Sequence, residues 1–250
     1  MLILNRTYCS YLSFLLLPIF LFYSSSTIRD SDRNKAVAEV PVLKVNFYLM
    51  GYNEDDQDVF LHIGANMDYL NQEFEGMVGF ELNELYTDVN SVWLPELYED
   101  IYHQNSRTVN DIVAPLEKKH GINVFVFPTY CKEGTDHALM GFTPILKARQ
   151  EKYQSSSPTF DRIYVAYDGL ENQTTLPHEM GHFLGLQHPW ELSKSKKYMM
   201  GLKTAFGIAR NHMNYGSEVD EFTLEQLRSM NTYALKYRKY LASKIITISP

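Results

Sequence analysis

The chain has 250 residues, 45% of them hydrophobic and 21% charged, an ordinary globular balance with enough apolar material for one sizeable core. Its formal net charge of −7 shows no basic excess, which argues against nucleic acid as a partner.

The N-terminus departs from the rest. Arg6 precedes an almost wholly apolar run over residues 11–23, and Ser24, Ser25 and Ser26 follow. This order predicts a cleaved secretory signal peptide over residues 1–26 and a secreted or extracytoplasmic (periplasmic or extracellular) address. The run is shorter than the roughly 20 residues a membrane span needs, and it holds Pro18. A retained membrane anchor is the alternative. With the signal cleaved, no stable membrane association is expected. Cys9 leaves with the signal, so Cys131 has no internal disulfide partner. It reads as a small apolar filler rather than a thiolate latch.

Residues 27–41 read as a flexible lead-in or short prosegment. Residues 42–50 (VLKVNFYLM) alternate and are rich in strand formers. Phe60, Ile63, Met67, Leu70 and Phe74 recur at helical spacing, predicting a helix over 59–74. A second strand is expected over 77–85 and a helix over 111–120, stopped by Gly121. Residues 122–127 (INVFVF), closed by Pro128, suit a strand buried on both faces. Residues 139–144 (LMGFTP) suit an edge strand, where Gly and Pro are tolerated. Residues 154–158 form a loop, and 162–167 (RIYVAY) are another buried strand. A helix is expected from about Pro177. A terminal helix over 222–241 opens on a capping box of Thr223 and Gln226. The whole predicts an α/β domain with a mixed sheet over 42–188 and a smaller, mainly helical part over 189–250.

The stretch HEMGHFLGLQH, residues 178–188, carries the chemistry. Positions four apart on a helix lie about 40° apart in projection, so His178 and His182 share one face. Two imidazoles there can meet one metal. Glu179 adjoins the first ligand and can reach a metal-bound water without ligating the metal. His188 stands six residues beyond His182, where a continuing helix would carry it to another face. Gly185 can adopt positive φ, end the helix and turn the chain back, which brings His188 to the same metal. Three protein ligands leave a position open, the arrangement of a catalytic zinc.

These residues resemble the metzincin metallopeptidases, whose signature HExxHxxGxxH they match at every fixed position. The turn residues 211–215 (NHMNY) then supply a candidate methionine beneath the metal, Met213. The more detailed likeness is to the pappalysin family, across ordered blocks between residues 42 and 240: the first strand and helix, INVFVFP, LMGFTP, DRIYVAY, and MNY before a helix opening FTLEQ. The resemblance implies a mixed, mostly parallel five-stranded twisted sheet with an antiparallel edge strand, an active-site helix and a smaller helical C-terminal subdomain. It implies that Leu139, Met140, Gly141 and Phe142 pair with an extended substrate. It implies that Tyr215 hydrogen-bonds the oxyanion. Calcium is a second cofactor of that family, with no residues here assignable to it. Family members carry disulfides near the active site, and this chain has no cysteine pair for one.

The expectation is thus a monomeric secreted zinc endopeptidase acting on protein or peptide substrates. A zinc-bound water would attack the peptide bond with Glu179 as general base. The rival from another class is a zinc-binding interaction module with little proteolysis, against which the intact Glu179 counts. His62, His103, His120, His137 and His212 lack ligand spacing; His212, beside Met213, is the one that stands near the site.

Overall fold

The computed structural model describes residues 39–52, 56–87, 113, 115–129, 140–143, 162–188, 210–214 and 221–248. The chain divides into two units, residues 1–36 and 37–250, and all described residues belong to the second. The expected signal peptide, residues 27–38 of the lead-in, Cys131, Leu139, the 154–158 loop and Tyr215 lie outside the described residues.

The core of the unit is a mostly parallel sheet. Strand β1 (Glu39–Leu49) pairs in parallel with β2 (Gly79–Tyr86) and with β3 (Ile122–Phe127). Strand β3 pairs in parallel with β5 (Arg162–Ala166), and β5 pairs antiparallel with the short β4 (Gly141–Phe142). The order is β2-β1-β3-β5-β4, so the one antiparallel strand of this path forms its edge. The central strands are apolar on both faces because both are covered. Leu43, Val45, Phe47 and Leu49 of β1, with Val124 and Val126 of β3, enter one core cluster. Tyr48, Phe125, Phe127 and Tyr164 enter the other. The period-2 alternation of Cβ directions divides them.

Helix α1 (Gln57–Glu73) lays Val59, Ile63, Met67 and Leu70 on the first cluster, one stripe at helical spacing. Helix α2 (Tyr167–Glu171) follows β5 directly, and α3 (Thr175–Phe183) carries the histidine motif, with Pro177 in its first turn, where no N–H is lost. Helix α4 (Leu224–Tyr233) opens on the expected capping box: the Thr223 hydroxyl accepts the Gln226 N–H at 3.2 Å, and the Gln226 carboxamide accepts the Thr223 N–H at 2.9 Å. Among the described residues, no helix is long and apolar enough to cross a membrane.

Three expectations are corrected. Residues 39–41, assigned to the lead-in, are strand: Glu39, Val40 and Pro41 lie opposite Thr247, Ile246 and Ile245 of a strand at the far end of the chain. That strand, β6 (Ala242–Thr247), follows the expected terminal helix in a part expected to be mainly helical, so the C-terminal segment contributes to the sheet as well as to the helices. Its Ile-Ile-Thr run has the β-branched signature of a strand, but its partner is remote in sequence. The helix before β6 also loosens, passing into a π turn (Ala234–Arg238) and a 3-10 turn (Lys239–Leu241). Finally, 113 and 115–120 show turns and no helix among the described residues. Pro115 has no N–H for a helical bond, and Asn123 engages both the N–H and the carbonyl of Lys118, each at 3.0 Å, which holds the backbone in a turn.

Candidate metal centre

The end of α3 forms as Gly185 predicts. Its φ is +92°, the Gly185 N–H bonds the His182 carbonyl at 3.0 Å, and the Leu186 N–H bonds the Gly181 carbonyl at 2.9 Å. These two bonds make a Schellman closure around a left-handed glycine. The closure also orients a ligand, because His182 Nδ1 lies 2.9 Å from the Leu186 carbonyl. A carbonyl can only accept, so Nδ1 carries the proton and Nε2 presents a lone pair. Gly185 is further constrained by packing: a Cβ there would lie 2.7 Å from Tyr233 Cδ2.

His178 is fixed from elsewhere. Its Nδ1 donates to the carbonyl of His212, so its Nε2 is a lone pair as well. His188 completes the group, with its Nε2 3.1 Å from that of His182 and 3.3 Å from that of His178. The three imidazoles can together hold one metal ion. Tetrahedral zinc with bonds of about 2.0–2.1 Å separates its ligand nitrogens by about 3.3–3.4 Å, close to this spacing. A proton on His188 Nε2 could satisfy only one of its two neighbours, whereas a cation satisfies all three lone pairs. Burial, and then the nearby His182, hold His178 down to about 4, against a smaller upward pull from its bond to His212. Its neutral, ligating form is therefore favoured. The donor set fits a metal ion that imidazole ligates, zinc among them.

Glu179 points to the strand side of the helix. Burial pushes its carboxyl up to about 8, while hydrogen bonds from the Thr143 hydroxyl and backbone N–H pull the other way. The Glu179 backbone carbonyl, 3.0 Å from the Thr143 hydroxyl, is the other acceptor for that hydroxyl's single proton. Glu179 Oε2 is buried with no protein partner among the described residues. The edge strand comes this close to the helix because of Gly141. A Cβ there would lie 2.9 Å from Glu179 Cγ and 2.8 Å from Thr175 Cγ2. Met140, Gly141 and Phe142 run antiparallel beside β5, and the Met140 carbonyl accepts the Ala166 N–H at 2.9 Å.

Met213 lies beneath the helix. A Cβ on Gly181 would fall 2.5 Å from the Met213 Sδ, so the sulfur occupies the space a side chain would fill. The turn around it is tightly tied. Asn211 Oδ1 accepts the Met213 N–H at 3.1 Å, and the Asn214 N–H bonds the Asn211 carbonyl at 2.8 Å. The carboxamides of Asn211 and Gln226 exchange bonds of 2.6 and 3.0 Å, so the capping-box glutamine also holds this turn.

The structure thus brings together His178, His182, His188, Glu179, Met213 and the edge residues 140–142. Four contributors were expected to have no role at the site: Thr143, read only as edge strand, Gly181, His212, noted only for standing beside Met213, and Gln226, read only as a helix cap. Gly181 had a signal available, since a glycine inside a helix costs stability and asks for a packing reason.

No protein-family model matches the chain, and no curated protein sequence matches it. Solved structures similar to it include metalloproteinase-II from Bacteroides fragilis, at 11% identity and a TM-score of 0.45, over 77% of this chain and 53% of that one. They also include a chain of a chaperone–substrate complex, at 14% identity and a TM-score of 0.45, over 81% of this chain. This chain spans about a third of the length of the latter and about half of the former.

Proposed function

We propose that the protein is a zinc-dependent endopeptidase, secreted by way of its N-terminal segment, that hydrolyses extended peptides. The observation that carries this reading is the convergence of three imidazole nitrogens, two from α3 and one from the segment after its end, with the buried Glu179 next to the first of them on α3. His178, His182 and His188 would hold the ion. Bound zinc supplies a Lewis acid that makes water nucleophilic near neutral pH and polarises a peptide carbonyl.

The rest falls to the chain's own groups. The Glu179 carboxylate takes a proton from the attacking water and passes it to the leaving amine, one group acting as base and then as acid. Thr143 ties this residue to the edge strand. A peptide lying antiparallel to residues 139–144 would add a strand to the sheet, with main-chain bonds giving affinity. The support for this is that β4 ends the strand order and pairs with β5 alone among the described strands. Met213 supplies a packed floor under the helix. Tyr215, two residues on, is the candidate for stabilising the oxyanion.

The test uses the purified protein, its Glu179→Ala variant and a mixed peptide library. Stoichiometric zinc in both proteins with cleavage by the unsubstituted one alone is the expected result. Zinc in both with no cleavage in either would favour a metal-binding interaction module. Absence of zinc after reconstitution would remove the site itself.

A further inference from the structure

His178 and His212 raise a question that the ligand set leaves open: what fixes the carbonyl that fixes the ligand. His212 is fully buried, and three of its atoms are committed. Its backbone N–H donates to the Glu221 carbonyl at 2.9 Å, its carbonyl receives His178 Nδ1–H, and its ring Nε2 lies 3.1 Å from Glu73 Oε2. Glu73 is the last residue of α1, 139 positions away in sequence. Tyr69, one turn earlier on α1, meets the same ring edge-on at 6.1 Å, and Phe222 covers it at 4.7 Å. The imidazole is therefore a peg, walled by two aromatic rings and hydrogen-bonded by one carboxylate.

We infer that Glu73 is a positioning residue for the metal: by holding the His212 ring it fixes the His212 carbonyl, and through it the tautomer and angle of the ligand His178. This rests on the metal-centre reading above. A carbonyl that accepts the distal N–H of a ligating histidine is part of the metal site, and removing such partners costs about 10–100-fold in metal affinity. Glu73 acts one bond further out, so its loss is expected at about the lower end of that range. The neighbouring Met213 packs on Gly181, but it makes no bond that sets the rotation of the His178 ring. The Glu73–His212 contact is the described side-chain bond that does so from α1.

The experiment measures zinc affinity by competition with a chromophoric chelator, and the visible spectrum of the cobalt-substituted protein, for the full chain and for Glu73→Ala, Glu73→Leu and Glu73→Gln. The leucine variant fills the volume without an acceptor and covers the case in which the alanine variant folds poorly. Thermal unfolding of the metal-free forms is recorded alongside. The expected result is about a 10-fold weaker zinc complex and a shifted cobalt band for Ala or Leu. Gln, whose carboxamide oxygen still accepts from the His212 ring, should stay within about 3-fold of the unsubstituted chain, the loss of charge costing less than the loss of the bond. Unchanged affinity and spectrum in Ala and Leu would overturn the inference. So would an affinity loss that merely follows the fall in melting temperature across all three variants, Gln included. Zinc bound by none of the four proteins would overturn the metal centre itself, and the inference with it.

Discussion

The two histidines of the helix stand one turn apart and are oriented by partners at very different distances along the sequence, one adjacent and one remote. His182 donates to Leu186, four residues on, inside the same closure that Gly185 makes possible. His178 donates to His212, 34 residues on, in a turn that is itself held by Glu73, Gln226 and Glu221. Glu179, beside His178, is likewise held from a distance, by Thr143 and by the space left at Gly141. One half of the site is thus a local construction and the other half depends on the assembled fold. Damage to the local half should show first in metal retention and stability. Damage around Glu179 should show first in turnover.

The largest effect expected on that division is Glu179→Ala. It removes the base without removing a ligand, so turnover should fall by about 10²–10⁴-fold while zinc stays bound. Metal analysis beside steady-state kinetics checks this; zinc lost in parallel with activity would mean that Glu179 belongs to the structural half. Next is Gly141→Ala. The added methyl collides with Glu179 Cγ and Thr175 Cγ2, and a carboxylate displaced by about 1 Å can cost about 10²-fold in rate. Zinc affinity should hold, because the atoms the added methyl meets first belong to Glu179 and Thr175, neither of them a ligand. Equal loss of zinc and rate would merge the two halves.

Gly185→Ala probes the other half. It forces a side chain into positive φ and against the Tyr233 ring, which should destabilise the fold by about 1–3 kcal/mol. Because His188 is delivered by this turn, zinc affinity should fall with stability, and added zinc should restore much of the melting temperature. Ligand at about 100 times its Kd contributes about 2.7 kcal/mol. A variant that loses stability but binds zinc as before would separate the turn from the ligand it carries.

The same division governs what could be read from the sequence. Ligand spacing, the helix break at Gly185 and the α4 capping box are local, and each appears in the structure at the residues expected. The buried strands INVFVF and RIYVA were legible because apolar runs between turn residues leave few alternatives. Strand β6 was not, since its Ile-Ile-Thr run follows a helix and its partner is β1. Local periodicity fixes no pairing across some 200 residues. The helix expected over 111–120 failed for a related reason. Its apolar pattern is compatible with a helix, but Asn123 competes for the Lys118 backbone. His212, Thr143 and Glu73 are ordinary residues in sequence, and their roles arise only when three separate elements meet.

The smallest effect expected is at Thr143, and it is the most discriminating for the remote half. Valine keeps the shape and removes the hydroxyl that bonds the Glu179 carbonyl at 3.0 Å. One buried hydrogen bond is worth about 1 kcal/mol, which for a domain of this size shifts the melting temperature by about 2–4 °C. Zinc affinity should not change. Turnover should fall a few-fold through looser placement of Glu179, and KM for extended peptides should be unaffected, since the β4 backbone that would pair with them is intact. Serine retains the hydroxyl and loses only the methyl, so Thr143→Ser should match the unsubstituted protein in turnover. A serine variant as slow as the valine variant would show that the methyl contact, rather than the hydrogen bond, holds the edge strand against the helix.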